Sequence, residues 1–506
     1  MAESAELRRW LDSGAKAVKR ARNKLDEINV FPVADSDTGT NLYLTLQEGN
    51  RAVAKLPASA THREVVAAFA RGALMGARGN SGVIVSQYLS AFLGTLDARG
   101  GLQKAKPRDI AAALEDASDA AYAAVSSPVE GTILTVARAA AKGAHGAADV
   151  NAGREATIVA AVVSARVALA RTHETLPSAR AAGVVDAGAA GLVLQLEMLA
   201  ETIAGPDCLS AIDEVEWEVA ASASGDVIAV PGHAHSHPRG GAYEVMFVIT
   251  SAEDLGPSLR EQLSEVGDSV AVSGGHGTWQ AHVHTDEPDQ AVRVGAKASA
   301  RQMLVQNIAM GHASDRAATG VVALTACPGL AGPLADAGAV VLVVPDPTSL
   351  KRRELRRAVK DASQSSAVVV AGHPALRAAA QVLADRRRKP HLTVLDATHE
   401  AHVVAAVAAA AVVTPGQDLA AQMAAAIAAT TVDQSTADAL DEDLDRLVNR
   451  DTEVVTLILA AGKTVEMTTT ARLSLRALAP AADINVYEGG QKAPDILLGV
   501  EAPLSP

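Results

Sequence analysis

The sequence predicts a multidomain protein whose first half is all α, followed by a small α+β module and an α/β region. Its 506 residues correspond to roughly three domains at about 150 residues each. Apolar residues recur at helical spacing up to about residue 205. From residue 320 onward, short β-branched segments alternate with helical ones, which indicates a parallel sheet with helices on its faces.

Charge and composition exclude several classes of protein. Lys and Arg total 45 against 58 Asp and Glu, so the formal net charge is −13, which argues against a nucleic-acid-binding surface. The two cysteines provide no disulfide framework, which favours the reducing cytosol. No apolar run reaches the roughly 18 residues of a membrane helix, and the N-terminus is too charged for a signal peptide. We therefore expect a cytoplasmic protein that neither binds nucleic acid nor spans a membrane.

The helical domain is predicted to cover residues 1–205, and a linker follows it over residues 206–241. Leu7, Leu11 and Val18 illustrate the helical spacing at the start of the chain. The linker begins acidic, becomes rich in Ser and Gly, and ends in the sequence PGHAHSHPRGG. Because it lacks the apolar periodicity that packing requires, we expect it to connect two domains without joining either core.

A middle α+β domain is predicted over residues 242–315. Period-two alternation and short helical patterns place strands at Tyr243–Thr250, 269–273 and 279–284, and helices at 258–266 and 289–299.

The C-terminal α/β domain is predicted over residues 318–506. Its strands are read from the segments GVVALTA, AVVLVVPD, SAVVVAG and HLTVLDA, with further strands at 453–459 and 484–486. The Ala-rich tract 401–429 is predicted to be helical, with a break at Pro415 and Gly416.

The most informative motif runs from Asn29 to Asn41. Asp35 and Asp37 stand two residues apart just before a helical pattern, and carboxylate oxygens are ligands that Mg²⁺ prefers. The next residues offer backbone N–H groups and hydroxyls at a helix start, where phosphate is favoured. They are Thr38, Gly39, Thr40 and Asn41. The alternative is an ordinary N-capping turn, since the same residue types dominate such turns.

Three further helix starts are polar and contain glycine. The loop GARGNSG precedes an apolar helix, and the segments EGT and DAG begin two more. The candidate ligand-binding residues in these loops are Asn80, Ser81, Thr132, Asp186 and Gly188. Each loop alone is more often a helix cap than a site. Four such starts in one bundle nevertheless suggest a single site for a polyphosphate and a metal at its end.

Together these motifs resemble the kinase subunit of bacterial fatty acid kinase. The resemblance extends over essentially the whole chain, through NVFPVADSDTGTN, GARGNSGVIVSQ, EGTILTVAR, VVDAGAAGL, GDSVAVSGGHGTWQAHVHTDEP and VYEGGQKAPDILLGVE. It implies that the first domain is an eight-helix barrel of the dihydroxyacetone kinase L-subunit type (DhaL-like), which binds ATP through magnesium ions held by aspartates. The last domain resembles the DegV-like fatty-acid-carrying proteins, and the resemblance implies a docking or assembly role for it.

The resemblance also implies roles for particular residues. Asp35 and Asp37 would be metal ligands, with Asn29 as a further one. The nucleotide would be lined by Thr38, Gly39, Thr40, Asn41, Asn80, Ser81, Thr132, Asp186 and Gly188.

The chain departs from the family's pattern at two positions. Ser36 replaces a glycine between the two aspartates, and it would be strained, or would lower affinity, if that position needs positive φ or close ligand approach. Glu244 occupies the place of a cysteine near a histidine pair. His282 and His284 alternate on a predicted strand, so both imidazoles share one face, as in a metal site or a proton-relay pair. The alternative is a solvated polar face.

The function implied is an ATP- and magnesium-dependent kinase. It would phosphorylate the carboxylate of a fatty acid presented by a separate DegV-type carrier protein and give an acyl phosphate. His282 and His284 are the candidate catalytic residues, which would position the acceptor or bind a metal near it. A kinase for a small hydroxyketone of the dihydroxyacetone type and a non-catalytic nucleotide-binding scaffold are the alternatives. The oligomeric state stays open, with a homodimer among the options.

Overall fold

The chain folds into two compact units. The structure, a computed structural model, describes residues 4–212, 215–218, 241–275, 277–310, 319–363, 365–386, 390–414, 416–464 and 469–503. One unit comprises Met1–Ser236 and Thr250–Val283, and the other comprises His237–Ile249 and His284–Pro506.

The first unit is built on a closed ring of helices. Its described residues form eight long helices, α1 Ala5–Glu27, α2 Thr38–Val53, α3 His62–Gly76, α4 Gly79–Ala98, α5 Pro107–Ala124, α6 Ile133–Asp149, α7 Arg154–Ala170 and α10 Ala187–Ala204, and two short ones, α8 Thr172–Thr175 and α9 Pro177–Ala182. Each long helix packs against the next, and α10 returns to α1. The predicted helical first region is confirmed.

Buried polar contacts as well as apolar packing close the ring between α1 and α10. Trp10 and Leu11 lie in the aliphatic core. The Trp10 indole donates to the carbonyl of Gln195 at 3.0 Å, and the Gln195 amide donates to the carbonyl of Gly14 at 2.9 Å. These contacts therefore join the first helix of the ring, α1, to the last, α10.

The first part of the predicted linker belongs to the helical unit. Leu209 is buried, and Ile212, Val215 and Trp217 pack against the helical core. The amide of Val185 donates to the carbonyl of Trp217 at 3.0 Å. The expectation that this stretch stays out of the core was wrong here, because a short extended segment buries side chains without helical periodicity. Residues 213–214 and 219–240 of the predicted linker lie outside the described residues.

The first unit also contains a helix and a strand pair from the middle of the chain. These are α11 Gly256–Ser264, β2 Asp268–Gly275 and residues 278–283 of β3 Thr278–Thr285, where a helix and two strands were predicted. The amide of Ser126 donates to the carbonyl of Val270 at 3.1 Å, and the amide of Gly274 donates to Oε1 of Gln87 at 3.2 Å. The strand pair is thus hydrogen-bonded to α4 and to the segment that follows α5.

The second unit contains a mixed sheet in the order β1-β4-β6-β5-β7-β8. Its described elements are β1 Tyr243–Thr250, α12 Pro288–Lys297, β4 Arg301–Asn307, β5 Thr319–Thr325, α13 Ala331–Asp336, β6 Val340–Val343, α14 Arg352–Ala362, β7 Ser366–Ala371, α15 Pro374–Asp385, β8 His391–Val394, α16 Glu400–Ala411 and α17 Leu419–Ala429. Strands β5 to β8 are parallel, as predicted. The Ala-rich tract forms two helices with the predicted break between them.

Strand β4 was missed by the sequence analysis and joins two predicted domains. It pairs antiparallel with β1 on one side and with β6 on the other. The sheet therefore continues across the predicted limit between residues 315 and 318, and the predicted domain limits stay a prediction.

A second, four-stranded sheet ends the chain in the order β11-β10-β12-β9. Its elements are β9 Thr430–Ser435, α18 Leu440–Leu447, β10 Val454–Leu459, α19 Thr469–Leu478, β11 Asp483–Tyr487 and β12 Ile496–Glu501. Strands β10 and β11 are parallel, whereas β12 runs antiparallel to its two neighbours. Strands β9 and β12 were not predicted.

Among the described helices, α10 has the length and apolar composition of a membrane span. Within that helix, 61% of the apolar window is buried inside the protein.

We predict opposite effects for two glycine-to-alanine changes in the helical ring. At Gly39 a Cβ would lie 2.3 Å from the carbonyl oxygen of Arg22, whereas at Gly94 it would meet nothing within 4 Å. Gly39→Ala should lower the free energy of unfolding by about 1–3 kcal/mol, as overpacking does. Gly94→Ala should raise it by about 0.5–1 kcal/mol through helix propensity. Urea unfolding of both variants checks this, and equal effects would contradict the close α1–α2 approach.

Candidate functional site

Four helix N-termini converge at one end of the ring. Consecutive long helices that pack side by side run in alternating directions, so every second helix starts at the same end. These starts belong to α2, α4, α6 and α10. Each start follows one of the four glycine-bearing loops that the sequence analysis singled out.

The starts of α2 and α4 are in contact. The Thr38 and Ser81 hydroxyl oxygens lie 3.4 Å apart. Gly79 has φ +54°, and a Cβ there would lie 2.4 Å from Nδ2 of Asn41. Glycine at this position therefore allows both the left-handed backbone and the close approach of Asn41.

The starts of α6 and α10 are joined by Asp186. One carboxylate oxygen of Asp186 accepts a hydrogen bond from the amide of Ala189 at 2.7 Å and caps α10. Burial raises the pKa of this carboxyl group to about 6, and the nearby backbone amide of Ile133, the first residue of α6, opposes that rise. A Cβ on Gly188 would lie 3.6 Å from the Cβ of Ile133. The geometry thus gives Asp186 a capping role, and its contact with a nucleotide stays a prediction.

Two further contacts complete the cluster. Thr132 is the N-cap of α6, and its hydroxyl accepts from the amide of Leu134 at 3.4 Å. A Cβ on Gly191, in the second turn of α10, would lie 2.3 Å from Cδ1 of Leu42 in α2. The backbone of α10 therefore packs against a side chain of α2 near the starts of both helices. This contact links the α2–α4 pair to the α6–α10 pair.

The two aspartates of the first motif differ in what they do. Asp37 is buried and directly precedes α2, yet its side chain makes no capping hydrogen bond. The ordinary N-capping interpretation therefore does not apply to Asp37. Asp35 is half-buried, and its Oδ1 accepts from Nδ2 of Asn29 at 2.6 Å. This contact orients Asp35, and the role of Asn29 as a metal ligand stays a prediction.

Ser36, between the two aspartates, has φ +56°. This is the left-handed region, which costs a residue other than glycine roughly 1–2 kcal/mol. The departure from glycine thus falls where the backbone requires positive φ. Both aspartates are nevertheless held beside the start of α2.

Asp26 is a buried carboxyl group that the sequence analysis missed. It accepts from the amide of Thr40 at 2.9 Å and from the Thr40 hydroxyl at 2.8 Å. Burial raises the pKa of Asp26 to about 6, and the charge of Asp37 acts in the same direction. Asp26 stands in the last turn of α1, where the helix dipole disfavours an acid. The sequence did contain a signal for this site, because an acid in the last turn of a helix next to the buried Leu25 is unusual.

Two amide oxygens near the helix starts have no hydrogen-bond partner among the described residues. They are Oδ1 of Asn41 and Oδ1 of Asn80, and both atoms are buried. An unsatisfied buried polar group costs roughly 1–3 kcal/mol. A ligand that carries O–H or N–H donors, such as a nucleotide hydroxyl or a water on a metal ion, would satisfy them.

The charges and dipoles fit a metal–polyphosphate ligand. Each helix N-terminus carries about half a positive charge and presents N–H groups, which favours phosphate. Carboxylate oxygens from Asp35 and Asp37 and amide oxygens from Asn41 and Asn80 are the hard ligands that magnesium takes, either directly or through water.

The histidine pair lies in the interior of the protein. His282 is 0% and His284 is 7% exposed, so the alternative of a solvated polar face was wrong. Both stand on β3. Glu244 on β1 is also buried, and one of its carboxylate oxygens lies within 4.8 Å of a ring nitrogen of His284. A Glu/His arrangement able to hold a metal is thus compatible with the structure.

The carboxyl ends of the parallel strands are filled by the chain itself. Glu400 accepts from the Thr325 hydroxyl and from the amide of Ala326, both at 2.7 Å. Burial raises the pKa of Glu400 to about 7. The Gln491 amide reaches in from the second sheet, 3.5 Å from Sγ of Cys327. This edge of a parallel sheet is where ligands commonly bind, and here side chains of the domain occupy it.

Comparison with known proteins identifies the two kinds of domain. Residues 32–201 match the DAK2 domain family, and residues 240–314 match the family of middle domains from FakA-like fatty acid kinases. The two matches point to a kinase family. These two matches confirm the predicted resemblance to fatty acid kinase subunits that have a DhaL-like first domain.

Two relatives show how far the likeness extends. The chain is 34% identical to the protein YloV of Bacillus subtilis over 286 residues, which is 54% of this chain and 50% of that protein. It is 32% identical over 284 residues to an uncharacterized protein of Staphylococcus saprophyticus, which is 56% of this chain and 50% of that protein. The chain thus spans about half the length of these relatives.

We predict that Asp26 makes stability depend on pH. Its pKa lies above the ordinary value of 3.8, so the folded state binds this proton more tightly than the unfolded state. The stabilisation is therefore full below about pH 4 and is lost as the pH rises through about 6. Relative to the wild type, the free energy of unfolding of Asp26→Asn should increase by up to about 3 kcal/mol as the pH rises between those limits. The variant also loses stability through its weakened contacts with Thr40, and this loss should not change with pH.

Urea unfolding at several pH values measures this difference. Asp12→Asn, on the exposed face of the same helix, is the control and should show no such trend. A difference between Asp26→Asn and the wild type that stays constant with pH would contradict the buried-acid interpretation.

Proposed function

We propose that the protein is an ATP- and magnesium-dependent kinase that phosphorylates the carboxylate of a fatty acid. The acid is presented by a separate DegV-type carrier protein, and the product is an acyl phosphate. The observation that carries this proposal is the juxtaposition of Asp35 and Asp37 with four helix N-termini. The kinase family of the first domain and the fatty acid kinase-like middle domain support it.

The nucleotide phosphates are proposed to lie over the helix starts. Thr38, Gly39, Thr40 and Asn41 would supply N–H groups and hydroxyls from α2, and Asn80 and Ser81 would do so from α4. Bound magnesium would neutralise charge on the phosphates, and Asp35 and Asp37 would hold it. Positioning and charge neutralisation are the main requirements of phosphoryl transfer.

The acceptor needs no deprotonation. A fatty acid carboxylate is already a nucleophile: one of its oxygens forms the new bond to the γ-phosphorus, while the bond to the bridging oxygen breaks and ADP leaves with the electron pair. No general base is therefore required, and the proposed task of His282 and His284 is to position the carboxylate or to bind a metal near it. The C-terminal region is proposed to dock the carrier or to support assembly.

One observation favours a second candidate, a non-catalytic nucleotide-binding scaffold. Ser36 holds a left-handed conformation that glycine would adopt without strain. The two candidates differ in turnover. Incubating the chain with ATP, magnesium and a DegV-type carrier holding oleate should give acyl phosphate and ADP, both dependent on the loaded carrier. Nucleotide binding without turnover would favour the scaffold.

We predict that Asp37→Asn abolishes most of the transfer without unfolding the protein. Mutation of a residue that only hydrogen-bonds to a metal ligand lowers metal affinity or activity by roughly 10–100-fold. Asp37→Asn removes the charge of a proposed ligand itself, so the loss should be at least as large. Because Asp37 is buried and its charge raises the pKa of Asp26, the melting temperature should hold or rise. A magnesium titration of turnover and a thermal melt test this, with the exposed Asp149→Asn as control. An unfolded variant, or normal turnover at low magnesium, would contradict the assignment.

We predict that replacing both His282 and His284 with Ala separates transfer from nucleotide binding. Transfer should fall by about tenfold or more, because acceptor positioning is lost, while ATP affinity should stay near that of the wild type. The measurements are steady-state transfer and calorimetric ATP titration, together with the metal content of both proteins. His145→Ala, which removes an exposed histidine beside Glu115, is the control. Wild-type transfer by the double variant would rule out this role.

A further inference from the structure

We propose that Gln280 is a positioning residue that holds the glycine loop, residues 76–82, at a fixed distance from the strand that carries His282. The inference rests on the kinase function proposed above. It adds to the phosphate end of the ring a residue that lies outside the segment matched by the DAK2 domain.

Gln280 makes a buried hydrogen bond to the glycine loop. Its Nε2 donates to the carbonyl oxygen of Ala77 at 2.8 Å. Gln280 is 1% exposed and Ala77 is 0% exposed, so water does not compete for this bond. Ala77 lies between the end of α3 and the start of α4. The bond therefore fixes the backbone directly before the first turn of α4, where Asn80 and Ser81 stand.

Two other described hydrogen bonds between the strand pair and the helices lie away from this loop. Ser126 bonds to Val270 beyond the end of α5, and Gln87 bonds to Gly274. Gln87 is about 12 Å further along α4 than Gly79, at 1.5 Å per residue. These contacts fasten the strand pair to the ring, whereas Gln280 sets its position against the glycine loop.

Strand geometry connects this bond to the acceptor side of the proposed reaction. Side chains two residues apart on a strand share a face and lie about 6.6 Å apart. Gln280 and His282 are such a pair on β3, and both are buried. A change in the bond to Ala77 would thus move the glycine loop relative to His282.

The second polar atom of the Gln280 amide can accept a hydrogen bond. Oε1 of Gln280 is buried and has no hydrogen-bond partner among the described residues, as is true of Oδ1 of Asn41 and Oδ1 of Asn80. With its donor held by Ala77, the amide presents an oxygen that can only accept.

Two matched variants test the inference in the full-length chain. Gln280→Met keeps the approximate volume of the side chain and removes the hydrogen bond to Ala77, whereas Gln87→Met removes the hydrogen bond to Gly274, away from the loop. Gln280→Met should lower kcat for transfer to the loaded carrier by roughly tenfold, with KM for ATP and the melting temperature near those of the wild type. Gln87→Met should keep kcat near the wild-type value. Equal kcat for the two variants would overturn the positioning role.

A second variant covers the outcome in which Gln280→Met does not fold. In Gln280→Glu an ionised carboxylate cannot donate to Ala77, but a protonated one can. Relative to wild type, transfer by this variant should be low at pH 8 and should recover as the pH is lowered, since burial keeps a carboxyl protonated to higher pH. A pH-independent ratio to the wild type would overturn the inference. If the wild type itself transfers no phosphoryl group, the proposed function fails, and this inference fails with it.

Discussion

The alternating direction of eight ring-forming helices is the constraint on which the candidate site depends. Because each helix packs against the next and α10 closes on α1, the N-termini of α2, α4, α6 and α10 share one end. Each start brings unpaired N–H groups and a partial positive charge to that end. A single helix start is a weak anion site, but four of them around one point form a surface suited to a polyphosphate. The N-termini of the other four long helices lie at the opposite end of the ring.

This convergence requires small residues where helix ends approach each other. Gly39 lets α2 lie against the last turn of α1, and Gly191 lets α10 lie against Leu42. Burial raises the pKa of Asp26, and the charge of the nearby Asp37 adds to that rise. Two neighbouring acids in a buried helix end are unfavourable by themselves, and a divalent cation at the proposed Asp35 and Asp37 site would offset the charge of Asp37. The charge of the buried acids in the protein therefore favours the binding of a cation, as the proposed function requires.

Much of this organisation can be predicted from sequence, because helix starts carry local signals. Asp37, Thr132 and Asp186 each stand directly before a helix, and the four motifs follow every second long helix. Up-down packing then brings them together. The helical first half and the parallel strands β5 to β8 were predictable for the same reason, since periodicity is a local property.

The parts that could not be predicted depend on contacts between distant segments. Strand β4 has polar residues at both ends and is defined by its neighbours β1 and β6. Asp26 resembles a solvated acid until Thr40 is folded against it. Trp217 packs on the ring without helical spacing, and the contact of Gln280 with Ala77 spans 203 positions. Each of these is created by tertiary packing, so local periodicity does not reveal it.

The most direct test of the account is hydrogen–deuterium exchange of the intact chain with ATP and magnesium, separately and together. The account predicts that the combination slows amide exchange at four segments at once, residues 38–41, 79–82, 133–136 and 187–190, and that neither component alone does so to the same extent. Protection confined to another part of the chain, or protection by ATP that is independent of magnesium, would contradict the claim that the converging helix starts and their aspartates form the nucleotide site.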